Sequence, residues 1–402
     1  MYRLDSIDDC QTAAGCISFL WLMINGIKEI HMKALISADM KQINRKLVFD
    51  IVRKRKEVTR VELSEITGMS SPSILTIVNE FLQTGILVEQ GKMSTTMGRH
   101  PMSLTFNPDV MFSIGIEFEG NNLSAGLVNL DGEIRFQTVS RIPSNLGDYF
   151  FDAVEKSIDK IEALLTKEGK SYYGIGMGIP GAVNNKTNVI YFAPYIGVNE
   201  PLDISPQIKR LEERFGKPIF VENDVNASAI GEFYVRQTGE TYKDLLYISV
   251  GSGIGAGIIL NKELRHGRNC LCGEVGYSLP DANEKVSRER TGWLEHKISH
   301  TTLCEMFPDY KNSYLVNEEM RIYISDTLCP YIANLTNALD LDLVVLGGEL
   351  FINGGSKLLE VMHDTLNQLT LSDLQVKACI TDYPGIVGTA MIASDNLFKT
   401  IL

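Results

Sequence analysis

Three glycine-rich turns, each placed directly after an apolar run, constrain the fold of this 402-residue chain more than any other feature. A short apolar run that ends in glycines is typical of a buried strand, and glycine lets the backbone turn tightly or approach a ligand closely. Strands that alternate with helical segments predict an α/β fold with binding sites at the strand ends. The three segments are GIGMGIPGAVN (174–184), LLYISVGSGIGAGIIL (245–260) and LDLVVLGGEL (341–350).

Further segments extend this α/β pattern to the C-terminal end of the sequence. A hairpin is predicted over residues 111–132, and a helix follows over 149–167. PIFVENDVNASAIGEF (218–233) predicts a strand that leads into a helix, and YPGIVGTAMIAS (383–394) begins the last helix. Because a chain of this length exceeds one ordinary domain, we expect two or three domains.

The pattern before residue 107 is helical. A first helix from Lys41 is predicted to bury one face, made of Ile43, Leu47, Ile51 and Val52. A second helix begins at a capping box formed by Thr59 and Glu62, and Gly68 ends it. Its apolar side is expected to consist of Val61, Leu63 and Ile66.

A third helix is predicted to open at Ser71 as its N-cap, with Pro72 in the first turn. Two helices joined by a short turn with glycine are typical of a helix-turn-helix, whose second helix enters the DNA major groove. ILVEQG (86–91) and PMSLTFN (101–107) then predict two strands with a loop between them, which is the arrangement of a wing. The alternative is a plain three-helix bundle with a solvated face.

Candidate DNA contacts lie on the third helix and in the wing loop. Ser71, Ser73 and Thr76 would point outward with short hydroxyls that can meet phosphates or base edges. Arg99 suits a narrow minor groove, and Arg60 is expected to contact the phosphate backbone. No arginine lies on the third helix, so direct reading of guanine is not expected.

The distribution of charge agrees with this division. The whole chain carries a formal charge of −12, which argues against general coating of nucleic acid or of an anionic membrane. Residues 34–107 nevertheless hold ten Lys and Arg against seven Asp and Glu. We therefore predict a basic DNA-binding domain over 34–107 and an acidic domain over 108–402.

Residues 1–33 form an apolar leader that fits neither domain. The stretch AAGCISFLWLMINGI (13–27) is short for a bilayer span, and acidic residues precede it where a secretory signal needs positive charge. One hypothesis is an upstream extension, with translation starting at Met32 or Met40. The alternative is a poorly packed N-terminal helix.

Cysteine usage indicates a reducing, cytoplasmic compartment, because seven scattered cysteines do not form a disulfide framework. Cys270 and Cys272 are the close pair. Two thiolates at that spacing are half of a zinc site, but no second pair follows, so two ordinary thiols are the favoured interpretation.

The predicted DNA-binding domain and the acidic domain that follows it together resemble the ROK family, which groups sugar-responsive repressors and sugar kinases. The segments that carry the resemblance span about residues 41–394: TRVELSEITGMSSPSILTIVNEFLQTGIL, GRHP, GIGMGIPG, VENDVNA, VGSGIGAGI and GEVGY. The resemblance implies a two-lobed, actin-like (ribonuclease H-like) sugar-kinase fold with a sugar in its cleft. A winged helix-turn-helix head implies the repressor branch, similar to the xylose and N-acetylglucosamine repressors.

The resemblance also implies a sugar site. Asn223, Asp224 and Glu274 match family residues that hydrogen-bond sugar hydroxyls, and Glu295 in GWLE fits a further acceptor. Tyr277 stands where the family has a histidine that serves both sugar and zinc. The family's zinc segment is replaced here by SLPDANEKVSRERTG, so no metal site is expected.

The phosphate site departs from the family more strongly. The family's Asp-x-Gly-Gly-Thr turn matches Glu117-Phe118-Glu119-Gly120-Asn121, and a carboxylate at 119 repels phosphate by about 4 kcal/mol at 4 Å. Gly251, Gly253 and Gly255 match a second phosphate loop and are interpreted as a vestigial nucleotide loop that preserves tight turns. Asp224 matches the catalytic base, but we expect it to bind a ligand hydroxyl without catalysis.

These observations predict a cytoplasmic regulator, a repressor of carbohydrate-utilisation genes, and no enzyme. Its expected partners are operator DNA, a small sugar or sugar-phosphate effector, and a second copy in a homodimer, or a tetramer. No cofactor and no membrane partner are expected. The rival hypotheses are a sugar kinase with an accessory head and a regulator whose effector is a partner protein.

Overall fold

The computed structural model describes residues 40–92, 102–142, 148–193, 196–239, 242–281, 283–285, 291–313 and 316–400. The leader 1–33 and Arg99 lie outside these residues. The chain divides into two compact units. We call residues 40–83 with 87–106 the head, and residues 84–86 with 107–397 the body.

The head consists of three helices and a small antiparallel sheet with strand order β1-β3-β2. Its helices are α1 (40–55), α2 (Arg60–Thr67) and α3 (Ser71–Gln83), and its strands are β1 (Glu57–Val58), β2 (Leu87–Lys92) and β3 (Met102–Phe106). The sequence predicted the three helices and the β2–β3 pair, whereas β1 was missed because two residues carry no alternation pattern.

The start and end of α2 follow the sequence prediction. Thr59 Oγ1 accepts a hydrogen bond from the Glu62 backbone amide at 3.2 Å, and Glu62 Oε2 accepts one from the Thr59 amide at 2.8 Å. Gly68 follows the helix with φ 69°, a left-handed conformation in which glycine has no steric penalty. Both capping-box contacts and the glycine stop are confirmed.

The predicted cap of α3 was wrong by one residue. Ser71 is already the first helical residue, and Ser70 Oγ accepts from the Ser73 amide at 3.4 Å. Ser70 therefore takes the capping role, and Pro72 becomes the second helical residue, where its missing amide hydrogen still costs nothing.

The predicted buried faces of α1 and α2 were partly wrong. Phe49 packs edge-on against Phe81 and Phe106, with ring centroids 6.4 and 5.8 Å away, and this large side chain sets the rotation of α1. The buried apolar residues of α1 and α2 are Val48, Phe49, Val52 and Leu63. The residues left exposed are Ile43 (59%), Leu47 (41%), Val61 (60%) and Ile66 (45%).

The body contains two five-stranded sheets with the same connectivity. The first has the order β11-β7-β4-β5-β6, in which β4, β5 and β6 are antiparallel and β7 and β11 run parallel to β4. Its strands are β4 (Phe112–Glu119), β5 (Asn122–Asn129), β6 (Ile134–Arg141), β7 (Ile175–Ile179) and β11 (Ile219–Asn223).

The second sheet repeats this path as β14-β13-β12-β15-β16, with β15 and β16 parallel to β12. Its strands are β12 (Leu245–Val250), β13 (Ile254–Leu260), β14 (Glu263–Leu264), β15 (Leu343–Gly347) and β16 (Gln375–Ala378). A small sheet of β8 (Ala182–Asn184), β9 (Val189–Phe192) and β10 (Leu202–Asp203) lies beside the first.

Helices cover both sheets and fill the space between them. The outer face of the first sheet packs on α4 (Asp148–Glu168) and α5 (Ser205–Phe215). The second packs on α7 (Trp293–Ile298), α8 (His300–Met306), α9 (Pro308–Ser313), α10 (Glu318–Leu339) and α11 (Glu349–Leu369). The inner layer is α6 (Asp224–Arg236) and α12 (Pro384–Thr400).

Glycines let the inner helices approach their neighbours at backbone distance. A Cβ on Gly388 of α12 would overlap the carbonyl oxygen of Ala227 in α6. Cβ atoms on Gly115 and Gly176 would overlap the backbone of α12 at Ile386 and Thr389. The N-terminal turns of α12 are therefore fixed against both α6 and the first sheet. No helix in the described ranges offers an apolar stretch of membrane-spanning length.

Candidate functional site

A cleft of about 1050 Å³ opens between the two sheets of the body, at the carboxyl ends of their strands. The first sheet contributes the ends of β4, β7 and β11, and the second contributes the ends of β12, β15 and β16. All eight sequence-predicted ligand and glycine-loop residues of the body line this cleft: Asn223, Asp224, Gly251, Gly253, Gly255, Glu274, Tyr277 and Glu295.

Asn223 is the last residue of β11, and Asp224 is the first residue of α6. The Asn223 Oδ1 atom caps α6 by accepting from the Asn226 amide at 2.8 Å, and its Nδ2 donates to the Gly181 carbonyl at 2.9 Å. The Asp224 Oδ1 atom accepts from the Val225 amide at 2.9 Å. Burial raises the pKa of Asp224 to about 7, with the negative charges of other cleft carboxylates adding to the rise.

Glu274, Tyr277 and Glu295 approach from the second sheet. Glu295 Oε2 accepts from the Ile254 amide at 3.3 Å. Burial and then the charge of Glu295 raise the pKa of Glu274 to about 6, and burial raises the pKa of Tyr277 to about 12. The Tyr277 hydroxyl is therefore a proton donor at neutral pH. We call these three residues, together with Asn223 and Asp224, the acceptor end of the cleft.

Glu117 holds a position that the sequence did not reveal. Its Oε2 atom accepts from the backbone amide of Ile386 at 3.0 Å, in the first turn of α12. The partial positive charge of a helix N-terminus favours a carboxylate there. Burial nevertheless raises the pKa of Glu117 to about 8, and the nearby charges of Glu119 and Asp224 add to the rise.

Glu119 is the last residue of β4, directly before the β4–β5 turn, and lies near Glu349 at the start of α11. Its placement in the cleft wall and then the charge of Glu349 raise the pKa of Glu119, although the residue as a whole is exposed. We call Glu117, Glu119 and the Gly251–Gly255 loop the glycine-turn end. Electrostatic coupling links the carboxylates in one series through the cleft: Glu295, Glu274, Asp224, Glu117, Glu119 and Glu349.

The side chains that line the cleft are predominantly acidic. Among the described residues that line it, none is Lys or Arg, and two are histidines, His296 and His300. Seven carry carboxylates: Glu117, Glu119, Asp224, Glu274, Glu295, Glu305 and Asp382. Such a surface offers acceptors to hydroxyl groups, and it repels anions.

Packing leaves little room for a side chain at two of the three glycines of the loop. A Cβ on Gly255 would come within 2.9 Å of the Val225 side chain, and one on Gly253 within 3.3 Å of the Glu295 carboxylate. Gly251 has no atom within 4 Å of its Cβ position. Two of the three glycines thus have a steric reason to persist without a phosphate in the loop.

A contact behind the acceptor end links the two sheets. His266, in the loop after β14, places its Nε2 atom 2.8 Å from Glu222 Oε2 at the end of β11. Asn185 Nδ2 donates to the same carboxylate oxygen at 3.0 Å. The hydrogen bond to Glu222 raises the pKa of His266, although burial opposes this. Sequence reasoning missed this pair because its members lie 44 residues apart.

Cys270 and Cys272 carry free thiols. Burial raises the pKa of both. Across the described part of the chain, no group of three or more His, Cys, Asp or Glu side chains could hold a metal ion.

The candidate DNA contacts of the head are placed unequally. Ser71, Ser73 and Thr76 are exposed on α3, and the Thr76 hydroxyl donates to the Pro72 carbonyl at 3.0 Å. Arg60, by contrast, is paired with Glu89 at 2.7 Å. Sequence reasoning missed two further exposed residues of the same face, Leu75 (48%) and Asn79, although the 3.6-residue period of α3 places them there.

Two sheets of one connectivity around a cleft rich in hydroxyl acceptors define a two-lobed α/β protein of the sugar-kinase type. The chain belongs to the ROK family, whose family model matches residues 113–396. It is 26% identical over 399 residues to the xylose repressor of Caldicellulosiruptor bescii, a match that spans 89% of this chain and 97% of that protein.

Two crystal structures share the fold. A ROK family transcriptional regulator, a homolog of the E. coli MLC protein, superposes with a TM-score of 0.70 at 21% identity, over 90% of this chain and 97% of that one. A ROK family glucokinase from Streptomyces griseus, in complex with glucose and AMPPNP, gives a TM-score of 0.57 at 23% identity, over 70% and 99%. The likeness to the regulator extends over the head, whereas the likeness to the kinase covers a share equal to the body.

Proposed function

We propose that this chain is a sugar-responsive transcriptional repressor of carbohydrate-utilisation genes. Its head binds operator DNA as a winged helix-turn-helix, and its cleft binds a sugar without phosphorylating it. The single observation that carries the proposal is a cleft whose described lining has seven carboxyl groups and no Lys or Arg, in a chain that also carries a helical head. The xylose repressor alignment over nearly the full length supports this assignment.

The head supports DNA binding through α3. Its N-terminal half presents the short hydroxyls of Ser71 and Ser73, which reach phosphates or base edges when such a helix enters the major groove. Arg60 reaches phosphate only after release from Glu89, and exposed ion pairs of this kind are weak, about 0–1 kcal/mol. Arg99 in the predicted wing is a further candidate for the minor groove.

The absence of catalysis follows from the glycine-turn end. Glu117 already binds the α12 amide, and Glu119 adds a second carboxylate where the family's kinases place phosphates. At an effective dielectric near 20, a phosphate charge 4 Å from one carboxylate costs about 4 kcal/mol. Asp224 therefore binds a ligand hydroxyl and transfers no proton to a reaction.

The sugar signal passes through the position of the two lobes. Asn223 and Asp224 belong to the first sheet's end of the cleft, whereas Glu274 and Glu295 belong to the second. A sugar that contacts both sets binds the closed arrangement better than the open one, and this difference in affinity shifts the population. In a homodimer, such a shift changes the spacing of two heads on a pseudo-palindromic operator.

The test uses the full-length protein and duplexes selected by it from a random pool. Fluorescence anisotropy would measure the affinity with and without D-xylose, D-glucose and N-acetylglucosamine. We expect nanomolar binding that at least one sugar weakens about tenfold or more. Specific DNA binding that no sugar and no cell extract alters would contradict the effector role of the cleft.

A matched pair of α3 variants tests the head. Ser73→Glu places a negative charge at the end of α3 that faces DNA, and Gln83→Glu places the same charge at the other end. We expect the first to lose about tenfold or more in DNA affinity and the second to lose much less, with unchanged circular dichroism in both. Equal effects would indicate that α3 does not enter the groove.

One observation favours the rival enzyme. A carboxyl with a pKa of about 7 is suited to act as a general base near neutral pH, and Asp224 has this property. A coupled ADP-release assay over hexoses and amino sugars tests it. Turnover that Asp224→Asn abolishes would establish a kinase, and turnover at the level of a protein-free blank would leave the repressor.

A further inference from the structure

Backbone amides that could bind an anion in this cleft already donate hydrogen bonds to carboxylates of the protein itself. Helix N-termini and glycine turns are ready anion sites because their amides have no partner within the helix or turn. In this cleft, three such amides already donate to cleft carboxylates. Ile386 at the start of α12 donates to Glu117, and Ile254 beside the glycine loop donates to Glu295. Val225 at the start of α6 donates to Asp224.

Close packing fixes the part of α12 that binds Glu117. Cβ atoms on Gly115 and Gly388 would overlap the backbones of Ile386 and Ala227, so α12 lies against β4 on one side and α6 on the other. Gly385 leaves no room for a side chain either, because its Cβ would fall 2.8 Å from Glu117. The carboxylate of Glu117 is thus held in a slot shaped for it, and a phosphate would have to displace it.

No basic side chain offsets this arrangement within the described lining of the cleft, where seven carboxylates face two histidines. Burial raises the pKa of Glu117 and of Asp224, which shows how strongly the site already disfavours negative charge. A phosphate ester carries a charge of about −1.5 to −2 at pH 7 and would meet the same penalty, because one proton does not neutralise it.

We infer that the cleft selects an uncharged, unphosphorylated sugar and excludes the phosphate ester of that sugar as well as nucleotides, with Glu117 as the residue that determines this specificity. The inference rests on the proposed role of the cleft as the effector site. It narrows the effector from a sugar or sugar-phosphate to the free sugar. A regulator of this kind reports import or release of free sugar, before any kinase has acted on it.

Calorimetry with matched pairs tests the selectivity. The full-length protein is titrated with D-xylose, D-glucose and N-acetylglucosamine, and with the phosphate ester of each. We expect at least one free sugar to bind and its ester to bind about a hundredfold more weakly or worse. An ester that binds as well as its free sugar overturns the inference, even if sugar-dependent release of DNA persists.

A second arm needs no knowledge of the sugar. Magnesium ADP and inorganic tripolyphosphate are titrated into the wild type, Glu117→Ala and Glu305→Ala. Both substitutions remove one cleft carboxylate, but only Glu117 occupies a helix amide in the described contacts. We expect no measurable binding to the wild type or to Glu305→Ala, and an affinity at least about tenfold above the detection limit in Glu117→Ala.

The outcomes of this arm separate the two proposals. Anion binding by the wild type overturns the selectivity whatever the protein does on DNA. Equal gains in both variants also overturn it, because general charge rather than occupancy of the amide would then exclude anions. Glu117→Gln, which can still accept from Ile386, guards against a variant that fails to fold, and it should gain less than Glu117→Ala.

Discussion

The two ends of the cleft are built from the same kind of residue, but their side chains make different contacts. At the acceptor end, Asn223 and Asp224 spend one contact each on the start of α6 and leave further oxygen lone pairs to the cavity. At the glycine-turn end, Glu117 accepts a hydrogen bond from the N-terminus of α12. We therefore propose that a carboxylate recognises a hydroxyl at one end and blocks an anion at the other.

This difference teaches that a glycine-turn fold does not imply a phosphate site. A side chain at Gly253 or Gly255 would be crowded by the side chains of Glu295 and Val225. The backbone geometry of a nucleotide loop can therefore persist for packing reasons after its amides have taken internal partners. The function has to be argued from the occupants of those amides.

The largest expected effect comes from the helix that seats Glu117. Gly388→Ala should destabilise the body by about 3 kcal/mol, because the new methyl overlaps the Ala227 carbonyl. Helix propensity alone would stabilise the variant by about 1 kcal/mol, so the sign of the change reports the clash. Urea unfolding measures it.

Gly239→Ala is the matched control, since its Cβ would meet no atom within 4 Å. A stability gain in Gly388→Ala would mean that α12 is loosely seated, and the contrast between the two ends of the cleft would lose its structural basis.

The next effect concerns the acceptor end. Asp224→Ala should weaken binding of the cognate sugar by about 10- to 100-fold, because a sugar hydroxyl loses its acceptor in a desolvated site. Asp382→Ala removes an exposed carboxylate from the same lining and should change the affinity by less than about threefold. Calorimetry gives both values. If Asp224→Ala leaves the sugar affinity unchanged, the sugar binds elsewhere in the cleft.

The pH dependence of stability reports both ends together. The pKa values of Glu117, Asp224 and Glu274 are raised to about 8, 7 and 6, so the folded state binds more protons than the unfolded state across this interval. Stability must therefore fall as pH rises from about 5 to 8. We expect Tm to drop by roughly 2–4 °C or more, which corresponds to about 1 kcal/mol.

Glu117→Gln should abolish the slope between about pH 7 and 8, where Glu117 alone still holds a proton that the unfolded state has lost. Between about pH 5 and 7 it should only reduce the slope, because Asp224 and Glu274 still contribute there. Differential scanning calorimetry at intervals of half a pH unit distinguishes the two parts. A wild-type Tm that rises steadily over this interval would show that the cleft carboxylates are ionised at ordinary pKa values.

The smallest expected effect lies behind the acceptor end. His266→Gln should cost less than about 1 kcal/mol at pH 6, and less again at pH 9. The pKa of His266 is raised by Glu222, so its contribution is complete below the unfolded pKa and is lost as pH rises through the folded value. His363→Gln, an exposed histidine on α11, is the control. Equal effects of both variants would show that the contact between His266 and Glu222 does not stabilise the protein.

Much of the fold could be predicted from the sequence because its signals are local. The Thr59–Glu62 capping box joins residues three positions apart, and the buried strands β7, β12 and β15 are short apolar runs that lead into glycine turns. The placement of Asn223 at the N-terminus of α6 also follows from a strand–helix junction that a single segment encodes. Hydrogen bonds and hydrophobic periodicity within one helix or strand involve residues that are close in sequence, so a single segment is enough to predict them.

The errors arose where distant residues compete. Ile43 and Leu47 have the correct spacing for a buried stripe, but Phe49 pairs with Phe81 and Phe106 and rotates α1 so that those two residues face outward. Periodicity gives the width of an apolar face and leaves open which of two neighbouring faces finds a partner. That choice is made by packing volume.

The amino-acid sequence by itself indicated the alternating α/β pattern, the glycine turns and the candidate acceptors of a sugar hydroxyl. Only the tertiary structure decided that Glu117 binds the amide of Ile386, 269 residues away in the chain, and that the cleft wall is acidic on both sides. The physical reason is range. Backbone geometry and capping act over a few residues, whereas electrostatic fields and close packing depend on which residues the fold brings together.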